Sequence, residues 1–136
     1  MDLAHGLMLS GTSVLGALGA VHLLYTFRGN KLQPRDPALR AAMERSWFVI
    51  TRETTVWRAV KGFHATHSLG AIGLALVYGH LALAQPQALV GSTFLTGLGL
   101  ALLLAYLALA WRYFFSIPFR GIALASTLYA LGWVLQ

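Results

Sequence analysis

The stretch KGFHATHSLGAIGLALVYGH, residues 61–80, decides the class of this chain. After Lys61 it runs apolar and glycine-rich for long enough to be a membrane helix, yet it carries His64, His67 and His80. A span needs about 20 mainly apolar residues, each rising about 1.5 Å along the helix. Four segments meet that requirement: roughly 4–27, 56–84, 88–114 and 118–135. They take up most of the 136 residues, so a single transmembrane domain, 1–136, is expected. Only 10% of the residues are charged, against about 25% in soluble domains.

The chain has no cysteine, which excludes disulfides, thiolate metal sites and a cysteine nucleophile. The N-terminus begins Met1-Asp2-Leu3-Ala4 without a basic region, and its apolar run continues to Phe27. It therefore reads as a retained helix rather than a signal peptide.

The net charge of +6 is not spread as a nucleic-acid binder would spread it. Eight of the ten Lys/Arg lie between Arg28 and Lys61, and the other two, Arg112 and Arg120, flank the third connection. The connection around Gln85-Pro86-Gln87 and both termini have none. Four spans with charge on alternate connections predict both termini outside and connections one and three cytoplasmic. Anionic lipid of the cytoplasmic leaflet is then the expected partner, at about 1 kcal/mol per basic residue near the surface, and nucleic acid is not.

The small residues form two stripes, Thr12/Gly16/Ala20 and Gly62/Thr66/Gly70, at the spacing that admits close helix approach, within the chain or in a homo-oligomer or membrane complex. In the first connection Asp36-Pro37 reads as a helix start. Leu39, Met43, Trp47 and Ile50 then share one face, with Arg40 and Glu44 paired elsewhere. An amphipathic helix lying in the interface is expected over about 37–50. The whole predicts an all-α fold: an integral-membrane, up-down four-helix bundle with that interfacial helix in its first connection.

Depth sorts the polar groups. His22 lies about 7 Å from the cytoplasmic end of the first span, and His64 and His67 follow Arg58 and Lys61 at the same end of the second. His64 and His67 are about 60° apart around the helix, with Ser68 following His64 at i+4, whereas His80 is about 20 Å further along. His5 and His80 belong to the outer surface. The candidate cluster is therefore His22, Arg58, Lys61, His64, His67 and Ser68, with Arg112 and Arg120 at the same level.

Such a set suits recognition of a lipid phosphate or carboxylate. The competing chemistries are a b-type haem held by His22 and His64 or His67, and a divalent metal on the H-x-x-H pair with His22. A membrane enzyme or redox protein acting on a lipid or quinone through His22 and His67 is the alternative function. No span contains Asp or Glu, so a carboxylate proton path is not encoded. No Ser-His-Asp set, P-loop or dinucleotide fingerprint is visible.

Three phrases, HLLYTFRGNKLQPRD (22–36), WRAVKGFHATHSLG (57–70) and FSIPFRG (115–121), together resemble a family of small bacterial four-helix inner-membrane proteins without assigned activity. The resemblance covers nearly the whole chain and implies location in the bacterial inner (plasma) membrane. In that family the middle phrase reads G-F-N-x-S-H-S-L-G. His67, Ser68 and Gly70 match it, while His64 stands where asparagine would be, which favours His67 over a two-histidine metal site. The layout is also similar to the membrane-associated glutathione and eicosanoid enzymes, at the level of fold only. Arg58-Ala59 matches their R-A-x-x-N-x-x-E motif, but the Asn and Glu are missing.

Overall fold

A computed structural model describes residues 2–136. Apart from one two-stranded hairpin the regular elements among the described residues are helices: α1 (Leu3–Phe27), α2 (Pro37–Arg45), β1 (Trp47–Phe48), β2 (Thr51–Thr55), α3 (Val56–Ala84), α4 (Pro86–Val90), α5 (Thr93–Tyr113) and α6 (Ser116–Val134). Four of these, α1, α3, α5 and α6, are long and apolar enough to cross a membrane. The chain divides into two compact units, one of Met1–Leu18 with Ala71–Gln136 and one of Gly19–Gly70.

In the first unit, close approach is made by glycine. A Cβ on Gly11 would lie 2.6 Å from the Ala125 carbonyl oxygen and 3.1 Å from the Tyr129 backbone nitrogen, so α1 and α6 meet backbone to backbone there. A Cβ on Gly132 would lie 2.6 Å from the Ala4 carbonyl oxygen on the same interface. Gly16 meets the Ala75 methyl of α3. On α5, Gly99 makes room for the Tyr129 and Tyr78 rings, which meet edge to face at 5.9 Å. The Tyr78 hydroxyl donates to the Leu95 carbonyl at 2.9 Å, whereas the fully buried Tyr129 hydroxyl has no partner among the described residues. Buried serine and threonine hydroxyls bond back to carbonyls of their own helix, as Thr12, Thr96 and Ser126 do. The N-terminus of α1 is capped by Asp2, which accepts from the His5 backbone N–H at 3.0 Å and from the His5 ring. That backbone bond, reinforced by the ring, holds the Asp2 carboxyl below its ordinary range.

In the second unit, α1 ends at Arg28-Gly29-Asn30, where Gly29 takes φ 80°, the left-handed conformation that glycine adopts without strain. Asp36 caps α2 by accepting from the Ala38 N–H at 2.8 Å, with Pro37 in the first turn.

Two expectations need correction. The helix expected over 37–50 stops at Arg45. Ser46 is extended, and Trp47–Thr55 folds back as a hairpin. The run WFVITRETT is rich in aromatic and β-branched residues, whose strand preference outweighs the helical spacing of Trp47 and Ile50. The third span starts at Thr93 rather than 88. The short helix α4 precedes it, and Ser92 caps α5 by accepting from the Leu95 N–H at 3.2 Å. Of the small-residue stripes, Gly16 of the first meets the Ala75 methyl, whereas in the second Gly62 has open space beside it and Thr66 and Gly70 are exposed, which leaves that stripe to contacts between chains.

Candidate functional site

The second unit holds the last turns of α1 and the first turns of α3, and there three imidazoles converge. His22 Nε2 and His64 Nδ1 are 3.0 Å apart, one donating and the other accepting. The His22 ring is 5.1 Å from that of His64 and 5.3 Å from that of His67, the latter edge on. All three are half-buried. The backbone supports them from behind: the buried Ser68 hydroxyl donates to the His64 carbonyl at 2.9 Å and the Thr26 hydroxyl to the His22 carbonyl at 2.8 Å.

Basic groups lie one turn and more toward the start of α3. Lys61, three residues before His64, sets its ammonium 5.4 Å from the centre of the Phe27 ring at the end of α1. Arg58 is exposed one turn earlier. Beside it, the buried Trp57 is covered by the Arg40 guanidinium at 4.1 Å. Arg40 also donates to Glu44 Oε1 at 2.6 and 2.9 Å and to Gln33 Oε1 at 2.6 Å, so its charge is used in tying α2 down.

Arg112 and Arg120, grouped with the cluster on the basis of depth, belong to the first unit. Both are exposed, Arg112 with its guanidinium 5.4 Å from the Tyr113 ring centre. His5 is buried against Asp2 and His80 is exposed.

The geometry limits the chemistry. Among the described residues no group of three or more His, Asp or Glu side chains is placed to hold a metal ion. Two imidazoles on opposite faces of a haem need nitrogens separated by two metal–nitrogen bonds, about 4 Å, with the macrocycle between them. The 3.0 Å bond between His22 and His64 leaves no such gap. What the cluster offers is hydrogen bonding: among the described residues His64 Nε2 has no hydrogen-bond partner, and Lys61 and Arg58 carry positive charge alongside. A concavity of about 600 Å³ in the same unit, lined by Lys31, Arg35, Arg40 and Glu44 among others, includes none of the histidines.

The sequence reading passed over the Arg40–Trp57 and Lys61–Phe27 contacts. The signal was available in part: Phe27 and Trp57 stand at the mouths of two spans beside basic residues, where a cation can cover an aromatic face. The Tyr78–Gly99–Tyr129 contact joins three helices and leaves no periodic trace in any one of them.

No protein-family model, curated protein or solved structure matches the chain.

Proposed function

We propose that the chain is a four-span protein of a bacterial inner membrane that binds an anionic headgroup through His22, His64 and His67, backed by Arg58 and Lys61. The observation that carries this reading is the convergence of three imidazoles from two helices, one of them keeping a ring nitrogen unbonded, with a lysine one turn away. With His22 donating to His64 Nδ1, His64 Nε2 carries the N–H, and that donor together with two cations matches the acceptor oxygens of a phosphate. Ionisable groups in a span are costly and mark function by default.

Membrane insertion is supported by what the helices leave uncovered. Only 22–28% of the most apolar window of each long helix is buried within the chain. So much outward apolar surface needs hydrocarbon around it. The 29 residues of α3 are about 44 Å long, some 14 Å more than a bilayer core of about 30 Å. If the excess lies at the Val56 end, Trp57, Arg58 and Lys61 stand among headgroups. His64, about 12 Å along, then sits where the core begins.

The charge distribution favours both termini outside and the cluster on the cytoplasmic side. A reporter fused after Gln136 is expected to read as external. A cytoplasmic signal would overturn the four-span, N-out topology.

Headgroup binding is read from stability. Ligand that binds only the folded state adds RT ln(1 + [L]/Kd), about 2.7 kcal/mol at a hundred times Kd. Adding phosphatidylglycerol to the detergent-solubilised protein is expected to raise Tm by several degrees, phosphatidylcholine to do little, and His67→Ala to abolish the difference. An equal response to both lipids would count against the site.

A further inference from the structure

The connection between α1 and α3 ends in a feature that the histidine cluster does not use. At the hairpin tip Val49 is fully exposed and Ile50 90% exposed, and their neighbours Trp47 and Phe48 are also exposed. Turn chemistry does not account for them. Two-residue hairpin tips favour glycine, asparagine and aspartate, which accept positive φ, and no non-glycine residue among those described has positive φ. What Val49 and Ile50 contribute is apolar area, on the least covered point of the second unit.

We infer that the Trp47–Ile50 tip inserts into the anionic lipid interface beside the first turn of α3, a proposal that rests on the reading of α3 as a membrane span. The chain leaves it little choice of distance. β2 runs directly into α3 at Val56, so Ile50 lies within about 20 Å of the start of the helix, at about 3.4 Å per strand residue. Ser46 is fastened there as well, its carbonyl accepting from the Val56 N–H at 2.9 Å.

The charges favour an anionic surface over a neutral or basic one. Residues 28–61 carry eight Lys/Arg against Asp36, Glu44 and Glu53, a net charge of +5. Arg45 and Arg52 stand on either side of the Trp47–Ile50 tip, and neither makes an ion pair among the described residues, whereas Glu44 is engaged by Arg40. Glu53 is the one acidic group on the hairpin itself, and it is exposed. An apolar wedge flanked by arginines reproduces, on a hairpin, the division of labour of an interfacial amphipathic helix: apolar side chains enter about 5–10 Å while cations meet headgroups.

The absence of cysteine makes the test direct. Val49→Cys places a unique thiol on a fully exposed side chain, where the fold has nothing to lose. An environment-sensitive fluorophore there, in nanodiscs of mixed phosphatidylglycerol and phosphatidylethanolamine, is expected to emit to the blue. It should be quenched more by shallow spin-labelled lipid than by aqueous iodide. Leu104→Cys, on the outward side of α5, serves as the reference for a spanning helix. A Val49 label quenched by iodide, with Leu104 quenched by lipid, overturns the hairpin proposal and leaves the membrane reading standing. Iodide quenching at both sites overturns both. Shielding of Val49 from lipid and iodide alike marks a protein partner or a second copy on the tip, and also overturns the proposal.

Discussion

Valine in place of Gly11 is expected to unfold the protein at markedly lower temperature than the parent. The added Cβ has nowhere to go: it would stand 2.6 Å from the Ala125 carbonyl oxygen and 3.1 Å from the Tyr129 nitrogen, both backbone atoms of α6. A flexible side chain could swing away, but a helix backbone moves only as a whole. Separating α1 from α6 also loosens Gly132 against Ala4 and Met8 further along the same interface. Overpacking of this kind costs about 1–3 kcal/mol, and valine adds two γ-methyls beyond the Cβ to the clash. Gly62→Ala is the control. Nothing lies within 4 Å of its built Cβ, and alanine is the better helix former by about 0.8–1 kcal/mol. Thermal unfolding in detergent should therefore place Gly11→Val several degrees below the parent and Gly62→Ala at or above it. Equal midpoints for Gly11→Val and the parent would mean that α1 and α6 do not meet at this glycine.

The second large effect is expected at His22, the ring that contacts both of the others. His22→Ala removes the partner of His64 Nδ1 and opens the cluster on its α1 side. If a headgroup phosphate is held there, one hydrogen bond to a charged group is lost or misplaced, about 1.5–3 kcal/mol. That corresponds to about a tenfold to hundredfold weaker Kd for phosphatidylglycerol. A merely structural histidine would lower Tm without changing lipid preference. His22→Gln separates the two cases, because the amide can still bond His64 and is expected to recover part of the affinity. His80→Ala, outside the cluster and exposed, should leave binding unchanged.

The long elements were legible from hydrophobic length alone. The 56–84 span is α3 as expected, and the first and fourth spans differ from α1 and α6 only by a residue or two at their ends. Length and hydropathy are summed over twenty residues, so single exceptions do not disturb them. The first connection depended on a contest over a few residues. Leu39, Met43, Trp47 and Ile50 have helical spacing, but β-branched residues crowd 49–56, and the helix gives way at Ser46. Periodicity sampled over so short a run cannot outweigh local propensity. In the candidate site, rise and rotation along each helix grouped His22 with His64 and His67, and those are the rings that meet. Which nitrogens bond is a matter of side-chain rotamer, and no pattern in the sequence encodes it.

The most direct measurement is native mass spectrometry of the full chain released from gentle detergent in the presence of equal amounts of phosphatidylglycerol and phosphatidylcholine. The parent and His80→Ala are expected to retain one phosphatidylglycerol, and His22→Ala to lose it. Equal adducts of both lipids on all three proteins, or an adduct with the mass of haem on the parent, would contradict headgroup binding by the histidine cluster.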